Sequence, residues 1–238
     1  MSDKNYAYPG NELILFRDAQ NWKNYFASVI SPFIKGRVLE AGAGIGSNTS
    51  LLQNNQVSEW IMLEPDTGMA RELTEKIGHE RFPVKTTVCC GTTADISQPF
   101  NCILYIDVLE HIEEDRSELE RAASLLQPGG TLIVLSPAFP QLFSPFDKAI
   151  GHYRRYTVKS LLAAAPPVLQ KISCRYYDSL GFAASLANKV LLRQHYPEPA
   201  QIRFWDRRLI PLSRIMDKLI FHSFGKSIIA IWKKKESQ

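Results

Sequence analysis

The sequence predicts an α/β fold in which a doubly wound, seven-stranded sheet carries helices on both faces. Two observations lead to this prediction: short, continuous apolar runs recur along the chain, and segments with helical periodicity lie between them. Continuous apolar runs are typical of strands buried on both faces of a parallel sheet. Alternation of strand and helix then implies right-handed crossovers and a mostly parallel sheet.

Seven apolar runs supply the predicted strands. They begin at Arg37, Glu59, Val84, Asn101, Gly130, Lys171 and Ser227. Because these runs are spread over nearly the whole chain, they predict one sheet and one domain of residues 1–238.

The helices between the strands are predicted from periodicity and from their ends. Residues 67–77 place apolar side chains on one face, as an amphipathic helix does. Residues 113–126 begin with acidic side chains and stop before Pro128, which favours a helix aligned with its dipole. Thr157 has the character of an N-cap, and the helix that follows it must end before Pro166.

Two segments lie outside this alternating pattern. Residues 1–35 form an N-terminal extension with a predicted helix over 19–30. Residues 181–224 form an insertion before the last strand. A stretch of that length without secondary structure is uncommon in a compact domain, so we expect two helices in it.

Composition limits the classes of protein that the chain can belong to. A chain of 238 residues with 45% hydrophobic content can bury one sizeable core. A net charge of +4 is too mild to indicate nucleic-acid binding. The N-terminus lacks a secretory signal pattern, and no apolar run approaches the roughly 20 residues of a membrane span. We therefore expect a cytoplasmic protein; contact with a membrane surface is left open but not expected.

The cysteines predict neither disulfides nor a metal centre. None of Cys89, Cys90, Cys102 and Cys174 forms a CxxC pair, so no zinc site is expected. The first three lie in apolar, strand-like runs, which favours buried free thiols in a reducing compartment. We expect no metal ion in this protein.

A glycine-rich loop is the first motif with chemical meaning. Residues 40–48 follow the first strand, open a helix and contain Gly42, Gly44 and Gly46. Glycine lets the backbone turn sharply and approach a ligand closely. Glu64 lies about 20 residues further on, at the end of the second strand, where an acid can accept both hydroxyls of a ribose.

Three details distinguish this loop from a dinucleotide site. The dinucleotide fingerprint requires its third glycine at the position of Ser47, but the chain has it at Gly46. Glu40 places a negative charge where a pyrophosphate would lie, and this charge suits a ligand with a positive end. The fourth strand also runs into residues 107–111, with the sequence Asp-Val-Leu-Glu-His.

On these residues the chain resembles the class I S-adenosylmethionine-dependent methyltransferases, in the small-molecule branch with a VLEH-type fourth motif. The resemblance is specific over residues 37–137 and topological elsewhere. It implies a Rossmann-like sheet with an antiparallel last strand and S-adenosylmethionine as the cofactor. It divides the domain into an N-terminal extension or lid (1–35), a cofactor-binding half (36–137) and a substrate-side half (138–238).

The resemblance also implies roles for individual residues. The loop and the fourth strand would border the methionine part of the cofactor, Glu64 would hold the ribose, and neighbouring side chains would border the adenine. The implied cofactor-binding residues are Glu40, Gly42, Gly44, Gly46, Glu64, Pro65, Met69, Thr92, Thr93 and Asp107.

The acceptor should bind near the loop after the fifth strand, because ligands bind at the carboxyl ends of parallel strands. Arginine recognises planar anions, and tyrosine offers apolar area with a polar tip. The candidate acceptor-binding residues are Phe146, Tyr153, Arg154, Arg155 and Tyr156, and the candidate general bases are His111 and His152. Purely structural roles, as ion pairs, core anchors or surface pairs, remain open for each of them.

A second apolar pattern lies in the insertion. Its stripe contains Leu212, Ile215, Met216 and Leu219. The stripe predicts a helix that caps the substrate pocket or covers the sheet; a dimer interface or a lipid-facing surface is the alternative.

The predicted activity is methyl transfer to a small-molecule acceptor. The donor is already activated, so the protein must mainly position the acceptor atom and exclude water, and a base is needed only if the acceptor loses a proton. Two alternatives remain: a catalytically silent S-adenosylmethionine-binding protein, and a nucleic-acid methyltransferase, although the chain lacks the Asn/Asp-Pro-Pro-aromatic motif of base-flipping enzymes. The sequence leaves open the acceptor, the methylated element (O, N or C) and the oligomeric state.

Overall fold

A computed structural model describes residues 8–10, 12–189 and 196–236. Its single sheet has the order β3-β2-β1-β4-β5-β7-β6. The strands are β1 (Gly36–Ala41), β2 (Val57–Glu64), β3 (Lys85–Cys90), β4 (Phe100–Ile106), β5 (Leu126–Pro137), β6 (Leu169–Tyr177) and β7 (Ser227–Lys234). Strand β7 is antiparallel to both of its neighbours, and β1 to β5 pair in parallel. The predicted fold class is confirmed.

Helices cover both faces of the sheet. They are α1 (Glu12–Phe16), α2 (Gln20–Ile30), α3 (Thr49–Leu52), α4 (Thr67–His79), α5 (Asp115–Leu125), α6 (Pro145–Ala149), α7 (Val158–Ala164), α8 (Ser179–Ala187), α9 (Pro199–Phe204) and α10 (Ile210–Leu219). A π-helical segment, Trp205–Leu209, joins α9 to α10. Thr157 caps α7 by accepting a hydrogen bond from the Ser160 amide, as predicted.

Alternate residues of each strand supply two separate apolar cores. Val38 packs with Trp22 of α2 in one core, while the next residue, Leu39, packs with Leu119 of α5 in the other. This two-residue alternation is the periodicity of a strand. Each face of the sheet therefore packs against its own layer of helices. The carboxyl ends of the parallel strands remain available for a ligand site.

The insertion is attached to the sheet by buried carboxylates. Asp178, at the N-terminus of α8, accepts hydrogen bonds from Trp205 Nε1 at 2.7 Å and Ser213 Oγ at 2.8 Å. Asp217 of α10 accepts from the Tyr25 hydroxyl at 2.9 Å and the Asp178 amide at 2.7 Å. Both carboxylates are fully buried, so the loss of any of these hydrogen-bond partners would leave a costly unsatisfied group.

A carboxylate of the insertion also supplies the cap that α2 lacks. Ala19 at the N-terminus of α2 offers no side-chain acceptor. Asp206 accepts instead from the amides of Trp22, at 2.9 Å, and Asn21, at 3.3 Å. The N-terminal extension and the insertion therefore form one helical cover over the same face.

Residues 210–219 form the predicted helix, α10, which packs over the sheet face through Ile210, but the apolar stripe is not the face that packs. Leu212 is 53% exposed, Ile215 60%, Met216 39% and Leu219 66%. The helix packs instead through Ile210, Ser213 and Asp217, because the carboxylate network orients it.

Two smaller expectations need correction. Strand β5 starts at Leu126, four residues before the predicted start, because Leu126 already pairs with Phe100. All four cysteines are free, but only Cys102 is buried, and Cys90 is exposed because β3 is an edge strand. Within residues 8–10, 12–189 and 196–236, no helix combines the length and the apolarity that crossing a bilayer requires.

Candidate active site

One cavity of about 970 Å³ lies at the carboxyl ends of the parallel strands, beneath the helical cover. This volume is at the upper end of the range for small-molecule sites, about 300–1,000 Å³. Gly42, Gly44, Glu64 and Asp107 line one end of the cavity, and we call this the cofactor end. At the other end, which we call the acceptor end, the lining includes Phe143, Phe146, Arg155, Tyr196 and Phe204.

The glycine-rich loop requires glycine at positions 42 and 46, where the backbone turns. Gly42 has φ +66°, and a Cβ there would lie 2.7 Å from the Val108 side chain. Gly46 has φ +65°, and its Cβ would meet Leu73 and Met62 at 2.7 Å. Gly42 and Gly44 line the cavity, whereas Gly46 packs behind the loop and does not line it.

Two lysines, which the sequence analysis missed, donate to carbonyl groups of the loop, and Lys23 also lines the cavity. Lys23 of α2 donates to the Ser47 carbonyl at 3.2 Å, and Lys76 of α4 donates to the Gly46 carbonyl at 3.2 Å. Burial lowers the pKa of Lys23. Neither lysine stands in a recognisable motif, so only the packed helices reveal their roles.

Glu64, the residue expected to hold the ribose, faces the glycine-rich loop. The Gly44 amide donates to its Oε2 at 2.7 Å, and the Asp66 amide donates to Oε1 at 2.9 Å. Burial raises the pKa of Glu64, while these two amide hydrogen bonds lower it. Each oxygen keeps a second lone pair, so the carboxylate can shape the loop and still accept ribose hydroxyls.

Glu40 turns away from the cavity, contrary to the expected contact with the methionine end of the cofactor. Its Oε2 accepts from Thr49 Oγ1 at 2.6 Å and from Trp60 Nε1 at 2.8 Å. Burial raises the pKa of Glu40 to about 7. The side chain therefore supports the strand and the helix behind the loop.

The expected adenine contacts divide into two groups. Pro65 and Met69 line the cavity, together with Tyr8 of the N-terminal segment. Thr92 and Thr93 do not line it. Thr92 caps a short turn with Asp95, and Thr93 donates to Glu118 at 2.9 Å, so neither hydroxyl is aimed at a ligand.

Asp107, which was expected to face the methionine part of the cofactor, lies where β4 ends and lines the cavity. Its backbone has φ +53°, in the left-handed region that aspartate tolerates better than most residues. After this turn, Val108, Glu110 and His111 line the cavity, whereas Leu109 is buried in the core on the other face of the sheet. Glu110 is fully buried in the cavity wall, and His111 lines the same wall.

The segment after β5 is organised around Asp147, which the sequence analysis did not name as a site residue. Arg155 Nε donates to its Oδ1 at 2.8 Å, and His152 Nδ1 lies 3.0 Å from the same oxygen. Ser144 Oγ donates to Oδ2 at 2.7 Å and forms the capping box of α6. Burial raises the pKa of Asp147, but hydrogen bonds from His152 and Arg155 outweigh it and hold the pKa well below its ordinary value.

The four candidate residues at 153–156 differ in whether they reach the cavity. Arg155 lines the cavity, and its Nη1 is buried without a hydrogen-bond partner. Arg154 instead pairs with Asp115 at 2.7 Å, outside the cavity. Tyr156 is buried and donates to Asp115 at 2.8 Å, whereas Tyr153 is 53% exposed. Of these four residues, only Arg155 lines the cavity.

Other candidates do lie at the acceptor end. Phe146, His111 and His152 line the cavity as expected. Lys226, which no motif identified, joins them and stacks over Trp205 at 4.6 Å from the ring centroid. Asp147 could have been found in the sequence, since Ser144 and Asp147 have the spacing of a capping box.

The sheet order with an antiparallel β7, and the glycine-rich loop facing an acid at the end of β2, define a Rossmann-like fold of the class I methyltransferase type. A family model described as a methyltransferase domain matches residues 14–178. The chain therefore belongs to this methyltransferase-domain family and is an S-adenosylmethionine-dependent enzyme. No curated protein matches the sequence.

Solved structures show the same fold at low sequence identity. A sarcosine dimethylglycine methyltransferase from Galdieria sulphuraria has a TM-score of 0.61 and 15% identity, over 91% of this chain and 86% of that one. A cyclopropane synthase from Mycobacterium tuberculosis has a TM-score of 0.59 and 15% identity, over 96% and 88%. The N-methyltransferase NodS from Bradyrhizobium japonicum, in complex with S-adenosyl-L-homocysteine, has a TM-score of 0.54 and 11% identity, over 91% and 86%.

Proposed function

We propose that the enzyme methylates a small molecule with an apolar or aromatic body and one anionic group. The observation that carries the proposal is Arg155, which lines the acceptor end and has a buried Nη1 without a partner. A buried guanidinium N–H without an acceptor is costly, and a carboxylate, phosphate or phenolate would satisfy it.

The shape and lining of the cavity support a small acceptor. The aromatic residues at the acceptor end suit stacking against a planar or apolar body. Lys226 adds a second cation close to Arg155. Anion recognition by two cations in a cavity beneath the helical cover favours a small molecule over a nucleic-acid strand, which needs a long basic groove.

The cofactor end fits S-adenosylmethionine. Glycines at 42 and 44 leave backbone exposed to the ligand, Glu64 offers acceptor positions for the ribose, and Asp107 offers a carboxylate to the ammonium end. Tyr8, Pro65 and Met69 would border the adenine. The cofactor supplies an activated methyl group, so this chain must chiefly position the acceptor.

The chain's own residues would hold and desolvate the acceptor. The aromatic lining would exclude water, and Arg155 would orient the anionic group. If the acceptor atom carries a proton, His111 and His152 are the imidazoles within the cavity that could take it. We also place the enzyme in the cytoplasm, which four free thiols support.

Calorimetry and a paired acceptor screen test this proposal. S-adenosylhomocysteine should bind at one site in the micromolar range, about −8 kcal/mol, with no comparable binding of NAD⁺. Transfer of a labelled methyl group should then be measured on aromatic compounds offered with and without a carboxylate or phosphate. We expect transfer only to members that carry the anion.

Three outcomes would contradict the proposal. Preferential methylation of DNA or RNA would assign the enzyme to nucleic acid. Cofactor binding without transfer to any acceptor class would indicate a silent binder. Equal transfer to charged and uncharged members of each pair would remove the role given to Arg155.

A further inference from the structure

Three ligating side chains meet in the wall of the cavity, beside Asp107. Glu110, His111 and His152 each offer one ligating atom, and all three atoms lie within 4.8 Å of one another. The two imidazole rings are in edge-to-face contact, with centroids 4.5 Å apart. All three residues line the cavity, so a species bound between them would be open to the acceptor.

Two atoms of this cluster are buried and lack hydrogen-bond partners. Glu110 is fully buried; Ser136 Oγ donates to its Oε2 at 2.9 Å, but Oε1 has no partner. Nδ1 of His111 is also buried and forms no hydrogen bond of normal geometry, although the Gly151 backbone lies beside it. Buried polar atoms are almost always satisfied, so two unsatisfied atoms on neighbouring residues indicate a missing ligand.

The third member of the cluster is oriented from behind. His152 Nδ1 lies 3.0 Å from Oδ1 of Asp147, and Arg155 and Ser144 hold that carboxylate in place. With the proton on Nδ1, the lone pair is on Nε2, which lies 3.9 Å from Oε1 of Glu110. A carboxylate that fixes the tautomer of an imidazole in this way is typical of metal-ligating histidines.

We propose that Glu110, His111 and His152 bind one Zn²⁺ ion, with the remaining coordination position open to the cavity. Two imidazoles and one carboxylate are a donor set that suits zinc in catalytic sites. Bonds of about 2.1 Å would place the donor atoms about 3.4 Å apart, so the side chains must close by roughly 1 Å on binding. This proposal replaces the expectation that the protein holds no metal.

The open position suggests a role, which rests on the proposed function, whereas metal binding itself does not. An acceptor hydroxyl on the ion would lose its proton to water more readily, as zinc-bound water does. Its oxygen would then form the bond to the methyl carbon, while the carbon–sulfur bond breaks and its electron pair stays on sulfur. In this arrangement the two histidines are ligands and not bases.

Metal titration of the whole chain tests the site without an activity assay. The protein would be treated with a chelator, dialysed and titrated with Zn²⁺, with metal content measured by mass spectrometry. Co²⁺ would serve as a spectroscopic probe. We expect one equivalent of Zn²⁺, and visible absorption bands from the Co²⁺ form that Zn²⁺ abolishes.

Substitutions locate the ion. Glu110→Gln keeps an oxygen for the Ser136 hydroxyl, and His111→Asn and His152→Asn remove one imidazole each. Each change should weaken Zn²⁺ binding more than about tenfold. His79→Asn removes an exposed histidine at the end of α4 and should leave binding unchanged. Melting temperatures in chelator show whether each variant is folded.

Two results would overturn the site: less than a tenth of an equivalent of Zn²⁺ on the wild type, or binding that all three cluster variants retain. Either would leave the cluster as a metal-free histidine pair. Calorimetry with S-adenosylhomocysteine in chelator separates this failure from failure of the proposed function. Normal cofactor binding without metal would reject the zinc site alone.

Discussion

The cofactor end and the acceptor end of the cavity are built in different ways. At the cofactor end the site is shaped mainly by backbone groups: glycines turn the chain, and two backbone amides donate to Glu64. At the acceptor end side chains hold one another, with Asp147 contacted by Arg155, His152 and Ser144. The cofactor end thus depends on short segments of sequence, whereas the acceptor end depends on packing between separate segments.

Substitution of the adjacent Arg154 and Arg155 tests how far the acceptor end depends on packing between segments. We expect the loss of Arg155 to have the largest effect on stability. The side chains of Arg155 and Asp147 are 10% and 1% exposed, whereas those of Arg154 and Asp115 are 28% and 14% exposed. Arg155→Ala removes the guanidinium and leaves the buried Asp147 carboxylate with only Ser144 and His152 as partners, which should cost about 3–5 kcal/mol of unfolding free energy. Arg154→Ala should cost about 1 kcal/mol or less, because water screens that pair.

Urea denaturation of both variants measures this difference. Equal losses would mean that the two pairs share one environment, contrary to the structure. Any activity that survives in Arg155→Ala should show a raised KM for the acceptor with cofactor affinity nearly intact.

Gly42→Ala perturbs the backbone of the cofactor end. Alanine at this position would have to adopt a left-handed backbone conformation, which costs about 1–2 kcal/mol. Its Cβ would also lie 2.7 Å from the Val108 side chain. Displacing that side chain adds about 1–3 kcal/mol. We expect affinity for S-adenosylhomocysteine to fall at least 30-fold in calorimetry, or about 2 kcal/mol.

Gly78→Ala is the matched control for this substitution. No atom lies within 4 Å of its new Cβ, and its backbone is helical, so stability should rise by about 0.5–1 kcal/mol. If Gly42→Ala bound the cofactor normally, the close approach of the loop to the ligand would be disproved.

Glu64→Ala tests whether one carboxylate shapes the loop and also holds the ribose. It removes the acceptor for the Gly44 and Asp66 amides and should weaken cofactor binding by about 2–3 kcal/mol. Glu64→Asp should be milder. Glu59→Ala, at the other end of β2, should bind the cofactor normally. Unchanged affinity in Glu64→Ala would place the ribose elsewhere.

The pH dependence of stability tests the buried carboxyl behind the loop. Burial raises the pKa of Glu40 from 4.5 to about 7, so the folded protein retains a proton that the unfolded chain releases. Stability should therefore fall as pH rises from 4.5 to 7, by about 2–3 kcal/mol from this group. Glu40→Gln, which stays neutral, should flatten that decline.

Glu59 on the adjacent strand β2 has a pKa shift of the opposite sign and serves as a control. The hydrogen bond from Lys85 lowers the pKa of Glu59, so this group adds stability as pH rises. Glu59→Gln should steepen the decline slightly. Urea midpoints across the pH range measure both variants. A wild-type curve that Glu40→Gln leaves unchanged would show that this carboxyl ionises as freely in the folded state as in the unfolded one.

The sequence predicts the cofactor end of the cavity better than the acceptor end. The strands, most of the helices, the glycine-rich loop, Glu64 and Asp107 are set by periodicity and by short motifs, so they could be predicted. Thr92 and Thr93 could not be placed correctly, because a neighbouring turn and the Glu118 carboxylate bind their hydroxyls. Glu40 looked like a ligand contact because a sequence shows charge but not direction.

The sequence by itself determined the α/β layering and the cofactor loop, since both arise from patterns within a few residues of one another. Only the tertiary structure decided which side chains face the acceptor. Arg154 and Arg155 are neighbours in sequence, yet one pairs with Asp115 from the start of α5 and the other with Asp147 of α6. The three residues proposed to bind zinc, Glu110, His111 and His152, likewise come from segments about 40 positions apart. Such pairings depend on long-range packing energies, which no local pattern contains.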